Sequence, residues 1–174
     1  MEKTITTHIT KGFLIALVLI VLNLAGHLLN VDLESWFGWI VICIFLAAII
    51  WSVNIYGKQM NNNVTFGNLF AHGFKVTAVV ICITFLFTLL SVYVLFPDSI
   101  DRIVQKGIEK AIAEKKMTED QMQQSLPMIK KITTISILAG SIIVNAIIGA
   151  LASLIGAAIT KKNPQDPFAN QPIS

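Results

Sequence analysis

Charge is missing from four long stretches of this chain: no Asp, Glu, Lys or Arg occurs from Gly12 to Val31, from Ser35 to Gly57, from Val76 to Pro97, or from Ile132 to Thr160. Each stretch holds at least the roughly 18 to 20 residues that an α-helix needs to cross about 30 Å of hydrocarbon. Runs such as WIVICIFLAAIIW are apolar on every side, whereas the strands of a membrane barrel alternate apolar and polar residues, so helices are expected. With 55% of its 174 residues hydrophobic and 13% charged, the chain is too apolar for a soluble domain. The expected fold is all-α, a polytopic membrane protein with a transmembrane domain over 1–162. Its four transmembrane helices are expected over about 12–30, 36–56, 70–96 and 132–160, with an amphipathic two-helix surface hairpin over 98–131 and a disordered tail over 163–174. Lys3 and Lys11 before an apolar run also fit a secretory signal, but no small-x-small cleavage site follows, so the first span is expected to be retained.

Flanking charge sets the expected orientation. Lys3 and Lys11 precede the first span, Lys58 and Lys75 flank the loop after the second, and Lys161 and Lys162 follow the fourth, while the first loop offers only Asp32 and Glu34. The positive-inside rule then places both termini in the cytoplasm. The segment between spans three and four opposes this, because it carries Arg102, Lys106, Lys110, Lys115, Lys116, Lys130 and Lys131. Trp36, Trp39, Trp51, Tyr56, Tyr93 and Phe96 fall toward the ends of spans, where amphipathic rings favour the headgroup level.

After Pro97-Asp98, a stop and helix start, Ile100, Ile103, Val104, Ile108 and Ile112 recur at helical spacing opposite a charged face. Thr118-Glu119-Asp120-Gln121 matches a capping box and is expected to restart a helix carrying Met122, Leu126 and Ile129, with Pro127 inside it or at its junction with span four. The apolar stripe fits packing at the lipid interface or against the protein, and alternatively a groove for a partner helix.

Inside the spans, the few polar residues fall on stripes. Counting 0, 4, 11, 15 and 18 from Gly73 gives Thr77, Thr84, Thr88 and Ser91, and the same count from Gly12 gives Ala16, Asn23, His27 and Asn30. That alignment also matches Gly12-Phe13 with Gly73-Phe74, Val18 with Val79, Ile20 with Ile81 and Leu28-Leu29 with Leu89-Leu90, the pattern of a parallel internal repeat, although apolar helices resemble one another cheaply. In span four Asn145, Gly149, Ser153, Gly156 and Thr160 share a face. Small residues four apart let helices approach closely, and hydroxyl or amide groups bond between them at about 0.6 to 2 kcal/mol each, so packing is the default reading. The rival is a hydrophilic path, yet the only titratable residue of these stripes is His27.

Between spans two and three lies VTFGNLFAHGFK. Gly67 and Gly73 are expected to keep the backbone narrow and Lys75 to snorkel, with His72 an ordinary interfacial residue rather than a site. Cys43 and Cys82 lie inside spans and are expected simply to pack, so neither a disulfide framework nor a metal site is expected. No phosphate loop, nucleophile elbow, HExxH or pair of intramembrane carboxylates is present, and no basic patch interleaved with aromatics. Catalysis, a cofactor and nucleic-acid binding are therefore not expected.

VTFGNLFAHGFK, Pro97-Asp98, the charged EKKMTEDQMQQS and the closing IIGALASLIGAAITKK together resemble the bacterial membrane-protein family known as domain of unknown function 4199. The resemblance covers nearly all of the chain before the tail and implies four spans in a bacterial cytoplasmic membrane. It carries over no catalytic or ligand residue. The expected function is a non-catalytic membrane module for packing or partner contact, with the bilayer and either a second copy or another membrane protein as partners. The alternative is a small oligomeric permeation unit for a neutral solute.

Overall fold

The computed structural model describes residues 6–29, 36–114 and 119–163, with backbone alone over 119–124. These residues are helical with no strand: α1 (His8–Leu28), α2 (Trp36–Gln59), α3 (Phe66–Leu90), a π turn at Ser91–Leu95, α4 (Asp98–Ala113) and α5 (Glu119–Ile159). The loop with Asp32 and Glu34, Asn30, Lys115, Lys116, Thr118 and the tail from residue 164 lie outside the described residues.

Four of these helices are long and apolar enough to cross a membrane: α1, α2, α3 with its π turn, and α5 from Ser125 to Ile159. Their outward faces are apolar, with Leu14, Leu17, Val18 and Val21 of α1 exposed, as are Ile143, Ile147, Leu151 and Leu154 of α5. Water would penalise so much continuous apolar surface, whereas lipid does not. The helices are consistent with a multi-pass membrane protein.

Three expectations need correction. The first helix begins at His8, so Lys11 lies within it instead of flanking it. The third begins at Phe66 because Thr65 caps it: the Thr65 hydroxyl accepts from the Asn68 amide at 3.2 Å. The second helix of the expected hairpin is not separate from span four, since α5 runs for 41 residues with Pro127 inside it. Proline lacks one donor, and the chain on either side continues the helix.

Two compact units divide the chain, one comprising residues up to Ile81 and from Ala146, the other Cys82–Asn145. In the first, α1, α2, the start of α3 and the end of α5 meet through glycines. A Cβ on Gly12 would sit 2.7 Å from Val79, one on Gly73 2.6 Å from the Ser153 hydroxyl and 2.7 Å from Val53, and one on Gly149 2.9 Å from the Thr77 Cβ. Gly156 faces Val53 and the Ile50 backbone, and Gly57 faces Thr160. Backbones at this separation bury Ile49, Val53, Leu69, Val76 and Val80 almost completely. Gly67 needs no such explanation, because a Cβ there would meet nothing closer than 3.9 Å.

The turn between α2 and α3 fastens this unit at one end. Asn61 and Asn62 take left-handed φ of 53° and 59°, a conformation asparagine tolerates better than most residues. The Asn62 amide donates to the Gly57 carbonyl at 2.8 Å, closing α2. Asn163, assigned to the disordered tail from sequence, is tied down: its amide donates to the Asn62 carbonyl at 2.9 Å and its side chain to the Asn61 carbonyl at 2.8 Å.

In the second unit α4 buries Ile100 and Val104, and Lys130 of α5 pairs with Asp101 at 2.6 Å. Both partners of that pair are well exposed, so it contributes little.

Gly149→Ala is expected to destabilise the detergent-purified protein by about 1–3 kcal/mol, because the added methyl meets Thr77. Gly140→Ala, with nothing within 4 Å, is expected to be neutral or stabilising by up to about 1 kcal/mol. Thermal unfolding of the two variants compared with the parent chain checks both.

Candidate functional site

The residues singled out on the span stripes separate between the two units. Thr77, Gly149, Ser153 and Gly156 come together in the first, all buried, with Thr77 against Gly149 and Ser153 against Gly73. Asn23 and His27 lie half-buried in α1 of the same unit. Thr84, Thr88, Ser91 and Asn145 are half-buried members of the second. Ser153 donates to the Gly149 carbonyl at 2.6 Å, Thr88 to that of Thr84 at 2.9 Å and Asn145 to that of Ser141 at 2.7 Å. These groups satisfy themselves on their own helices, four residues back. The α4 face is likewise uneven: Ile100 and Val104 are buried, Ile108 and Ile112 half-buried, and Ile103 is 45% exposed.

A different cluster gathers the polar chemistry of the first unit, and it contains the histidine read from sequence as an ordinary surface residue. His72 is only 7% exposed. It sits at the second turn of α3, where the capped start at Thr65 and the buried Leu69 turn it inward. The Tyr56 ring of α2 stacks on its imidazole with centroids 4.0 Å apart and planes within 4°. His8 of α1 meets it edge-on at 6.5 Å.

Lys11, 6% exposed, brings its ammonium into the same cluster. It donates to the Gln59 side-chain oxygen at 3.2 Å and to the Ser52 carbonyl at 3.4 Å, and its Nζ lies 3.4 Å from His72 Nε2. An ammonium has three donors and no acceptor, so Nε2 accepts and a neutral imidazole carries its proton on Nδ1. Gln59 in turn donates to the Thr6 hydroxyl at 2.6 Å. α1 thus supplies the cation, α2 two acceptors and the ring platform, and α3 the imidazole.

No carboxylate joins this cluster, for the described residues of the unit include no Asp or Glu. Among all described residues no group of three His, Cys, Asp or Glu side chains could hold a metal ion. The arrangement can hold a positive charge among neutral dipoles and attract an anion. One signal in sequence could have revealed it: Lys11, Gln59 and His72 fall at those ends of α1, α2 and α3 that up-and-down topology brings together.

Removing an acceptor should hurt more than removing the charge. His72→Leu and Gln59→Leu are each expected to destabilise by about 1–3 kcal/mol, since they leave the buried ammonium short of partners. Lys11→Met should change stability by less than about 1 kcal/mol, and combining it with His72→Leu should recover part of the loss, as thermal unfolding of the four variants would show.

Neither a curated protein nor a solved structure matches the chain significantly. A family model does match, over residues 10–162, and it takes in the helical seams together with Lys11, Tyr56, Gln59 and His72; the chain belongs to the family described as protein of unknown function, DUF4199.

Proposed function

We propose that this is a non-catalytic integral membrane protein whose first unit is a dry, close-packed anchor and whose α4 region offers a contact face to a second copy or another membrane protein. The observation that carries the reading is the glycine seam. With Gly73 against Ser153 and Val53, Gly149 against Thr77, and Gly156 against Val53, α2, α3 and α5 meet without room for a solute. Hydroxyls that bond their own helices support the same reading.

The contact face belongs to the second unit. A groove of about 320 Å³ is lined by Asp101, Val104, Gln105 and Ile108 of α4 and by Leu126 and Lys130 of α5. Ile103 remains exposed beside it. Apolar side chains beside an ion pair suit the binding of an amphipathic helix. The positive-inside rule favours a cytoplasmic location for both termini, in the bacterial inner membrane implied by the family resemblance.

A permeation unit is the second reading, favoured by two buried hydroxyls, Ser52 Oγ and Thr77 Oγ1, that lack a hydrogen-bond partner. An unpaired buried hydroxyl fits a position visited by water.

Reconstituted into liposomes, the protein is expected to pass small neutral solutes no faster than empty vesicles at any protein density; flux that scales with protein would favour permeation. Ile103→Asp with Ile108→Asp is expected to abolish cross-linked self-association or co-purification of a membrane partner. Unchanged partners at unchanged abundance would contradict the contact face.

A further inference from the structure

Among the described residues of the first unit, all the formal charge is positive. Its described residues hold five lysines, Lys11, Lys58, Lys75, Lys161 and Lys162, and neither Asp nor Glu. Helix order and contacts bring these lysines to one end. Lys11 lies in the first turn of α1 and reaches Gln59 at the end of α2; Asn163, next to Lys162, bonds the Asn61-Asn62 turn; Lys75 lies one turn beyond His72 on α3. Lys162 is partly occupied, donating to the Ala157 carbonyl at 2.7 Å and lying 5.5 Å from the Phe66 ring centroid.

Lys11 differs from the other four. Its ammonium is withdrawn from solvent and, among the described residues, meets only neutral acceptors; a desolvated cation held by dipoles alone is expensive to keep. Beside it, Ser52 gives its carbonyl to the ammonium while its own buried hydroxyl has no partner. Half-buried Gln59 links the ammonium to the surface: it accepts from Lys11 and donates to the hydroxyl of exposed Thr6 at 2.6 Å. If Gln59 swings aside, its place beside the Lys11 ammonium is open to an anion, with His72 next to that ammonium and His8 edge-on to the His72 ring.

We propose that this end of the first unit is a binding site for a phosphate-bearing anion, with Lys11 as the buried anchor and Gln59 as the side chain that yields to it. A phosphate has more acceptor oxygens than a carboxylate, so it can accept from Lys11 while its other oxygens meet water or further lysines at this end of the unit. The phosphate comes either from an anionic phospholipid headgroup or from solution. Beyond the packing role proposed above, this gives the protein a ligand.

The test is the thermal unfolding shift of the full chain in neutral detergent on titration with phosphatidylglycerol, phosphatidylcholine, or inorganic phosphate without lipid. Phosphatidylglycerol is expected to raise the unfolding temperature well above any effect of phosphatidylcholine, and Lys11→Met to weaken that response at least about fivefold, the equivalent of about 1 kcal/mol per basic residue. Lys58→Met, which alters an exposed lysine, should leave most of the response. Gln59→Glu gives the ammonium an internal counter-ion and should abolish the response while the protein stays folded, which guards against a Lys11 variant that merely misfolds. Equal protection by inorganic phosphate, lost in the same variants, supports the site with a dissolved ligand. No response to either source, or a loss that tracks lysine number regardless of position, overturns the proposal.

Discussion

The rest of the structure depends on a constraint of the bilayer: in hydrocarbon no water pairs with a backbone amide or carbonyl, so the chain must pair each one internally. Helices meet that demand segment by segment, but lipid supplies little hydrophobic force to bring one helix to another. Close contact has to do the work instead. In the first unit it is achieved where glycine removes a side chain, so that Gly73 admits Ser153 and Val53 and Gly149 admits Thr77. Dispersion between such surfaces is small per atom pair and large in sum. The same closeness explains why Ser153 and Thr160 bond carbonyls of their own helix: at this spacing a hydroxyl turned back costs no room.

Much of this architecture is legible in sequence because the relevant code is one-dimensional. Gaps without charge set the four long helices, and a period of 3.6 residues places Gly149, Ser153 and Gly156 on one face. Helix ends are less legible, since they turn on local chemistry that a search for charge-free runs overlooks. Thr65 starts α3 well before the apolar run, and α1 begins at His8 with a lysine inside it. The capping-box pattern agrees with a helix starting at Glu119, but Pro127 suggested a break that the backbone does not make, because a proline one turn or more into a long helix removes only one hydrogen bond and its neighbours hold the helix together.

The polar cluster was the least legible part. Lys11 reads in sequence as a flanking charge and His72 as a surface residue because each stands alone on its helix, separated by 61 positions in the chain. Only the antiparallel course of α1, α2 and α3 brings Lys11, Gln59 and His72 within hydrogen-bonding range. Isolated polar residues near the ends of membrane helices therefore need to be read together, by the end of the protein at which topology collects them. Tyr56 is a second case: taken as an interfacial ring, it stacks on His72.

Whether the seam between α2, α3 and α5 is dry decides between an anchor and a path. Aqueous accessibility of a cysteine at Thr77, in a background with Cys43 and Cys82 replaced by alanine, measures this directly in lipid nanodiscs. Thr77→Cys should stay unmodified by a small, charged thiol reagent that labels Gln105→Cys to completion. Labelling of both at comparable rates would mean that water reaches the middle of the seam, and close packing by glycine could not be what holds these helices together.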